Sequence, residues 1–246
     1  MSEPETEITY FDFGEKETEY LKKRDPLLGA AIDEIGHIRR EVIPDMFKAL
    51  VNSIVGQQIS AKAQATVWKR IWEHFSPFVP ETVAAATEKE LCECGLSFRK
   101  ASYIKEIAAA AADGRLDFVD LRTLPDVEVI KRLTSFRGIG VWTAEMLMIF
   151  SMRRPDIMSI DDLAILRGLR MLYRHRKITP RLFAKYKRRY SPYATVASLY
   201  LWAIAGGACE GLSDHAPMTE AQKKARAKKR RETGAALNHP LYEMIL

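Results

Sequence analysis

Cysteine is scarce in this chain of 246 residues. The three thiols, Cys92, Cys94 and Cys209, are too few and too scattered for a disulfide framework or a four-thiolate metal site. Five histidines, at 37, 74, 175, 215 and 239, show no ligand spacing, so no metal is expected. No apolar run is long enough to span a bilayer, and the acidic N-terminus lacks the features of a signal peptide. A cytoplasmic protein is therefore the expectation. Strong β signals and internal repeats are missing too, which leaves an all-α chain with at most a minor N-terminal strand at Tyr10-Phe11-Asp12-Phe13-Gly14.

What is present describes an ordinary globular protein: 47% hydrophobic and 28% charged residues. The length suffices for a sizeable core, in one large domain or two intimate lobes. The net charge of +6 is unevenly placed. Residues 1–41 hold eleven acidic and six basic residues, so residues 42–246 carry a net +11. A basic body suits a polyanionic partner. Residues 222–231, QKKARAKKRR, add seven positive charges without an acid and read as a solvated tail.

Helical periodicity recurs along the chain. Tyr20 to Gly36 reads as helix interrupted at Asp25-Pro26. Pro44 to His74 is a long tract, broken near Gly56-Gln57-Gln58-Ile59-Ser60, with Ser60 as N-cap of the second half. Glu81 to Leu91 is expected to be helix, as are residues 95–112, ended by Asp113-Gly114. A basic tract from Arg167 to Arg189 contains Tyr173 and Tyr186, and Tyr193 to Ala205 is an apolar helix. Lys100 is a candidate for backbone contact with a nucleic acid or for a solvated helix face.

The densest signal lies between Lys131 and Arg167. Phe136-Arg137-Gly138-Ile139-Gly140 forms a turn between two helices. Glycines one residue apart permit positive φ and close approach of a ligand to the backbone. The amides that follow, through Thr143, belong to a helix N-terminus, which favours an anion such as phosphate. Trp142, Met146 and Ile149 share a flank of that helix. Asp161 and Asp162 then stand at the head of a third helix, whose dipole favours a charged carboxylate.

This stretch resembles the helix-hairpin-helix motif and catalytic aspartate of the DNA glycosylase superfamily, closest to the alkylbase, 3-methyladenine DNA glycosylase II type. The segment GQ-x-x-S at Gly56 to Ser60 and Gly-Leu-x-x-x-Lys-Ala from Gly95 resemble it as well, and the likeness runs from about Asp25 to Trp202. The resemblance implies an all-α, two-lobed helix-hairpin-helix glycosylase fold with the active-site cleft between the lobes. Residues 45–150 would be the central lobe, ending in the hairpin at about 127–150. Residues 1–44 with 151–221 would form the second lobe, and 222–246 the basic tail.

The same resemblance assigns roles. Asp162, followed by Ile165 and Arg167, is the catalytic carboxylate, and Asp161 caps the helix or sits outward. Trp142, Trp202 and Met146 line the base pocket, although Met146 stands where an aromatic is often found. Gln58, with Gln57 beside it, fills the gap left by an extruded nucleotide. Arg137, Gly138, Gly140 and Thr143 grip the DNA phosphates. Bifunctional members carry a lysine two residues after the second glycine; here that residue is Trp142. The reaction implied is release of alkylated purines by water, leaving an abasic site in double-stranded DNA. No iron–sulfur cluster or other cofactor is expected, since only Cys209 lies in the region where some branches bind one, and a monomer is expected. Removal of uracil, hypoxanthine or a mismatched base, or DNA binding without chemistry, are the alternatives.

Overall fold

The structure is a computed structural model and describes residues 8–217. The basic run at 222–231 lies outside the described residues. Thirteen α-helices and one two-stranded sheet appear among the described residues. The strands β1 (Thr9–Tyr10) and β2 (Glu41–Val42) pair antiparallel, Thr9 with Val42 and Tyr10 with Glu41. They tie the N-terminal arm to the body, and Phe11 and Phe13 follow into the core.

The first helices are α1 (Glu15–Arg24) and α2 (Pro26–Ile35), separated by the single residue Asp25. Next come α3 (Met46–Gly56) and α4 (Ala61–His74), then α5 (Pro80–Ala85) and α6 (Glu88–Glu93). The expected single helix over 81–91 is thus two. Thr87 accepts from the Glu90 N–H at 3.2 Å while the Glu90 carboxylate accepts from the Thr87 N–H at 2.7 Å, a reciprocal cap that restarts the helix. The helix expected from 95 begins at Phe98, because the Ser97 hydroxyl caps α7 (Phe98–Ala112).

The remaining helices are α8 (Phe118–Thr123), α9 (Asp126–Thr134), α10 (Val141–Phe150), α11 (Leu163–Tyr173), α12 (Pro180–Tyr190) and α13 (Ala194–Ala205). The basic tract from Arg167 to Arg189 therefore spans the end of α11 and most of α12. Phe183, Tyr186 and Tyr190 of α12 face inward, and Arg181, Lys185 and Arg188 are exposed on the other face.

Two hydrophobic cores organise these elements. One gathers buried side chains from α3 through α10, among them Leu50, Ile54, Leu91, Ile104 and Leu147. The other joins the N-terminal arm, α1 and α2 to α11, α12 and α13, through Leu21, Leu28, Leu169, Tyr190 and Leu201. Phe150 and Trp202 pack against both.

Candidate active site

The hairpin is built by α9, the turn residues 135–140 and α10. Gly138 adopts φ +84°, and a Cβ there would lie 2.2 Å from the Tyr103 ring, so only glycine fits. Gly140 does not use the positive φ that a glycine permits. Its φ is −91° and a Cβ would meet nothing within 4 Å. It is the N-cap of α10, and no side chain caps that helix start. The first amides of α10 thus point outward without an intrahelical acceptor.

The hairpin's side chains behave unevenly. The Arg137 Nε donates to Glu106 at 2.6 Å, so part of its guanidinium is committed within the protein. Thr143 is buried, which leaves its backbone N–H rather than its hydroxyl at the helix start. Gln57 donates through Nε2 to the Gly138 carbonyl at 2.8 Å and so braces the hairpin. Gln58 beside it is exposed, with φ +58°. Lys100 does not extend from a helix face; its Nζ donates to the Val55 and Gln57 carbonyls at 2.8 and 2.6 Å, closing the end of α3. Burial pushes its pKa down from the ordinary lysine value.

From α10 the chain runs through a linker pinned to the start of α13. The Thr195 hydroxyl accepts from the Ile157 N–H at 2.9 Å and donates to the Arg154 carbonyl at 2.6 Å. Asp156 accepts from the Ser191 hydroxyl and the Ala194 N–H. The linker ends at the two aspartates. Asp161 is exposed, and the cap of α11 is Asp162 itself. Its Oδ1 accepts from the Ala164 and Ile165 N–H groups, both at 2.9 Å. Its Oδ2 accepts from the Trp142 indole Nε1 at 3.0 Å. Three N–H donors thus hold a carboxylate that is only 7% exposed.

Asp162 lines a cavity of about 610 Å³ whose wall draws on both cores. Trp142, Met146 and Trp202 line it too, so these four expected residues are neighbours in space. The Trp202 ring stacks on Phe150 at 5.6 Å and 25°, and the Arg40 guanidinium lies 4.8 Å over the other ring of that pair. Sequence reasoning missed Phe150, Arg40, Asn52, Ser53 and Gln64 in this wall. Nothing local marks them, since they come from separate elements brought together only by packing. It also missed Glu145 on α10, a buried carboxyl whose Oε2 has no hydrogen-bond partner. Burial pushes its pKa above the usual range, and the charges of Asp161 and Asp162 act in the same direction.

An all-helical fold in which a glycine hairpin hands the chain to a capped, cavity-lining aspartate defines a class of DNA-repair protein. Residues 51–193 match the family described as HhH-GPD superfamily base excision DNA repair protein, and the chain belongs to that family. Among curated relatives, it is 35% identical over 161 residues to DNA-3-methyladenine glycosylase 1 of Schizosaccharomyces pombe, covering 63% of this chain and 71% of that one. It is 28% identical over 197 residues to the DNA-3-methyladenine glycosylase of Bacillus subtilis, covering 75% of this chain and 65% of the relative. A crystal structure of a DNA-3-methyladenine glycosidase from Bacillus halodurans superposes with a TM-score of 0.75 at 34% identity, over 83% of this chain and 96% of that one. The Schizosaccharomyces pombe 3-methyladenine DNA glycosylase in complex with abasic DNA gives 0.66 at 30% identity, over 76% and 95%. No helix of the described residues is long and apolar enough to cross a membrane, and no group of residues there could hold a metal ion.

Proposed function

We propose that this protein is a monofunctional DNA glycosylase that extrudes alkylated purines of the 3-methyladenine and 7-methylguanine type and releases them by water attack at C1′. The single observation that carries this reading is Asp162: held by three N–H groups, it lines a cavity with two indoles, one of them Trp142 at the hairpin position where bifunctional enzymes carry a lysine. The relatives' names support the choice of alkylated bases.

In this mechanism, cleavage of the N-glycosidic bond places positive charge on the sugar. A fixed carboxylate beneath the sugar stabilises that charge and takes the proton of the attacking water. The bond electrons leave with the base, which is a good leaving group because alkylation at N3 or N7 gives it a formal positive charge. Stacking on Trp142 and Trp202 holds the extruded base, worth roughly 1–3 kcal/mol, with a cation–π contribution of about 0.5–2 kcal/mol for charged purines. An indole at position 142 cannot attack C1′, so no covalent intermediate and no strand cleavage follow.

The two cores act in this proposal as the two lobes, 45–150 and 1–44 with 151–221, closing on double-stranded DNA. The exposed Gln58 enters the gap in the stack while Gln57 stays on the hairpin, and the amides of Gly140 and α10 meet the phosphates. Hydrolysis by water draws on no cofactor. In this reading the protein acts as a monomer in the cytoplasm.

Mass analysis of bases released from methylated genomic DNA is the test. The expected result is free methylated purine from the parent and almost none from Asp162→Asn, with DNA binding retained. Equal release by both proteins removes the role given to Asp162, and strand breaks without alkali contradict the monofunctional reading.

A further inference from the structure

Part of the cavity wall comes from α3 and α4, where Asn52 and Gln64 meet. Gln64 Nε2 donates to the main-chain oxygen of Asn52 and to its Oδ1, both at 3.0 Å. A main-chain carbonyl can only accept, so the Gln64 amide must turn its nitrogen toward it. Asn52 must then offer its oxygen to that same nitrogen, because two amide nitrogens would both be donors. One helix carbonyl therefore sets the orientation of both amides, which coordinates alone often leave open.

The pair is also seated. A Cβ on Gly56 would lie 2.6 Å from Cδ and Oε1 of Gln64 and 2.7 Å from its Nε2. The carboxamide of Gln64 thus lies flat in a slot that exists only because residue 56 has no side chain. Both N–H groups of Gln64 are spent inside this arrangement. What remains is Asn52 Nδ2, a donor, and Gln64 Oε1, an acceptor, with no partner among the described residues. Both residues line the cavity that holds Asp162.

The geometry points to Asn52 and Gln64 as a specificity-determining edge that reads the extruded base, accepting purines that present a hydrogen-bond acceptor next to a donor. This rests on the glycosylase reading above. Paired amides of this kind suit the N7 and N6–H2 groups of an adenine. 3-Methyladenine keeps its N6 amino group beside ring acceptors, and 7-methylguanine keeps O6 beside N1–H. 1,N6-Ethenoadenine has N1 and N6 closed into a ring and offers no N–H, so Gln64 Oε1 would face acceptors only. A polar group left unpaired against its ligand is the stronger source of discrimination, because it loses water and gains nothing. The edge selects shape and polarity of the base, while the leaving-group chemistry separates damaged from normal purines.

The test uses the full chain, with Asn52→Ala, Gln64→Leu and Gly56→Ala beside the parent. Single-turnover excision is followed on duplexes carrying 7-methylguanine or 1,N6-ethenoadenine, and binding is measured to a duplex carrying a tetrahydrofuran abasic analogue. The parent is expected to prefer 7-methylguanine, and each variant to excise it about 10-fold more slowly or worse, the equivalent of losing one good hydrogen bond to a base. Binding to the abasic analogue, which has no base to read, should stay within about 2-fold, since the phosphate contacts that dominate affinity are untouched. Variants that excise 7-methylguanine as fast as the parent, or that lose analogue binding in the same proportion, overturn the assignment. A parent that releases neither base overturns the glycosylase reading as well, so the two failures are told apart.

Discussion

At the residue scale the site is a matter of where N–H groups point. Asp162 spends one oxygen on the backbone of α11 and the other on the indole of Trp142. A hydrogen bond to a charged group is worth about 1.5–3 kcal/mol, so Trp142→Phe keeps an aromatic wall and drops that donor. The expected result is base release slowed by roughly 10- to 100-fold, with DNA binding near the parent value; unchanged release would show that the indole N–H does not orient the carboxylate. Glu145 gives a second residue-scale test. Its folded-state pKa is raised, so the carboxyl adds stability below the ordinary carboxylate range and loses it as pH rises through the raised value. Glu145→Gln should therefore melt a few degrees above the parent at pH 7 and lose that advantage near pH 4, as thermal scans at the two pH values will show.

Four of the residues named from the sequence stood out for a local reason. Gly138, Trp142, Met146 and Asp162 fall within one short stretch, where a turn, a helix flank and a helix start each have their own signature. Asn52 and Gln64 are polar residues on two helical faces, and nothing in either helix distinguishes them from solvated positions. Glu145 sits among apolar neighbours in a helix that otherwise reads as core, a signal that was visible and went unused.

At the element scale, the helices with strong periodicity and clear stops were legible, and boundaries failed where caps were overlooked. Thr87-x-x-Glu90 and Thr179-Pro180 are both helix starts, yet the first was merged into one helix and the second was read only as part of a basic tract. Asp25 was legible as a stop and not as what it also does. It is 1% exposed, caps α2 through Oδ1, and accepts through Oδ2 from the Tyr173 hydroxyl at 2.7 Å and from Arg189. This joins α2, α11 and α12 around one buried carboxylate. Asp25→Asn should cost about 2–4 kcal/mol of stability, measured by denaturant unfolding, from the weakened cap and the unpaired cation together. A second element-scale prediction concerns α11 on α13. A Cβ on Gly168 would lie 2.3 Å from the Leu201 carbonyl oxygen, so the two helices touch at backbone distance. One helix carries Asp162 at its head and the other carries Trp202. Gly168→Ala should cost roughly 1–3 kcal/mol through overpacking and slow base release, because the carboxylate and the indole move apart together. A stable variant with parental activity would show that the cavity does not depend on this crossing.

At the scale of the whole molecule, charge and burial are distributed to different ends. Phe11, Phe13, Leu21 and Leu28 anchor the acidic N-terminal part of the chain to the core of α11 to α13. The rest of the chain keeps a net +11, including the cationic face of α12 with Arg181, Lys185 and Arg188 around Thr179. A surface that carries such a cationic face suits a partner whose charge is uniform along its length. Such binding releases counterions, with log K falling by about 0.9 per phosphate neutralised for each unit of log salt. If the cationic faces neutralise about four phosphates, titration of undamaged duplex between about 50 and 200 mM salt should give a slope of about −3.6, and steeper for more contacts. Excision should follow binding at low enzyme concentration and become insensitive to salt when the enzyme saturates the duplex, because in the proposed mechanism Asp162, Trp142 and Trp202 act inside a cavity that no free ion needs to enter. A slope near zero would remove the electrostatic grip, and a salt dependence that persists at saturation would place screening at the chemical step instead of at the DNA surface.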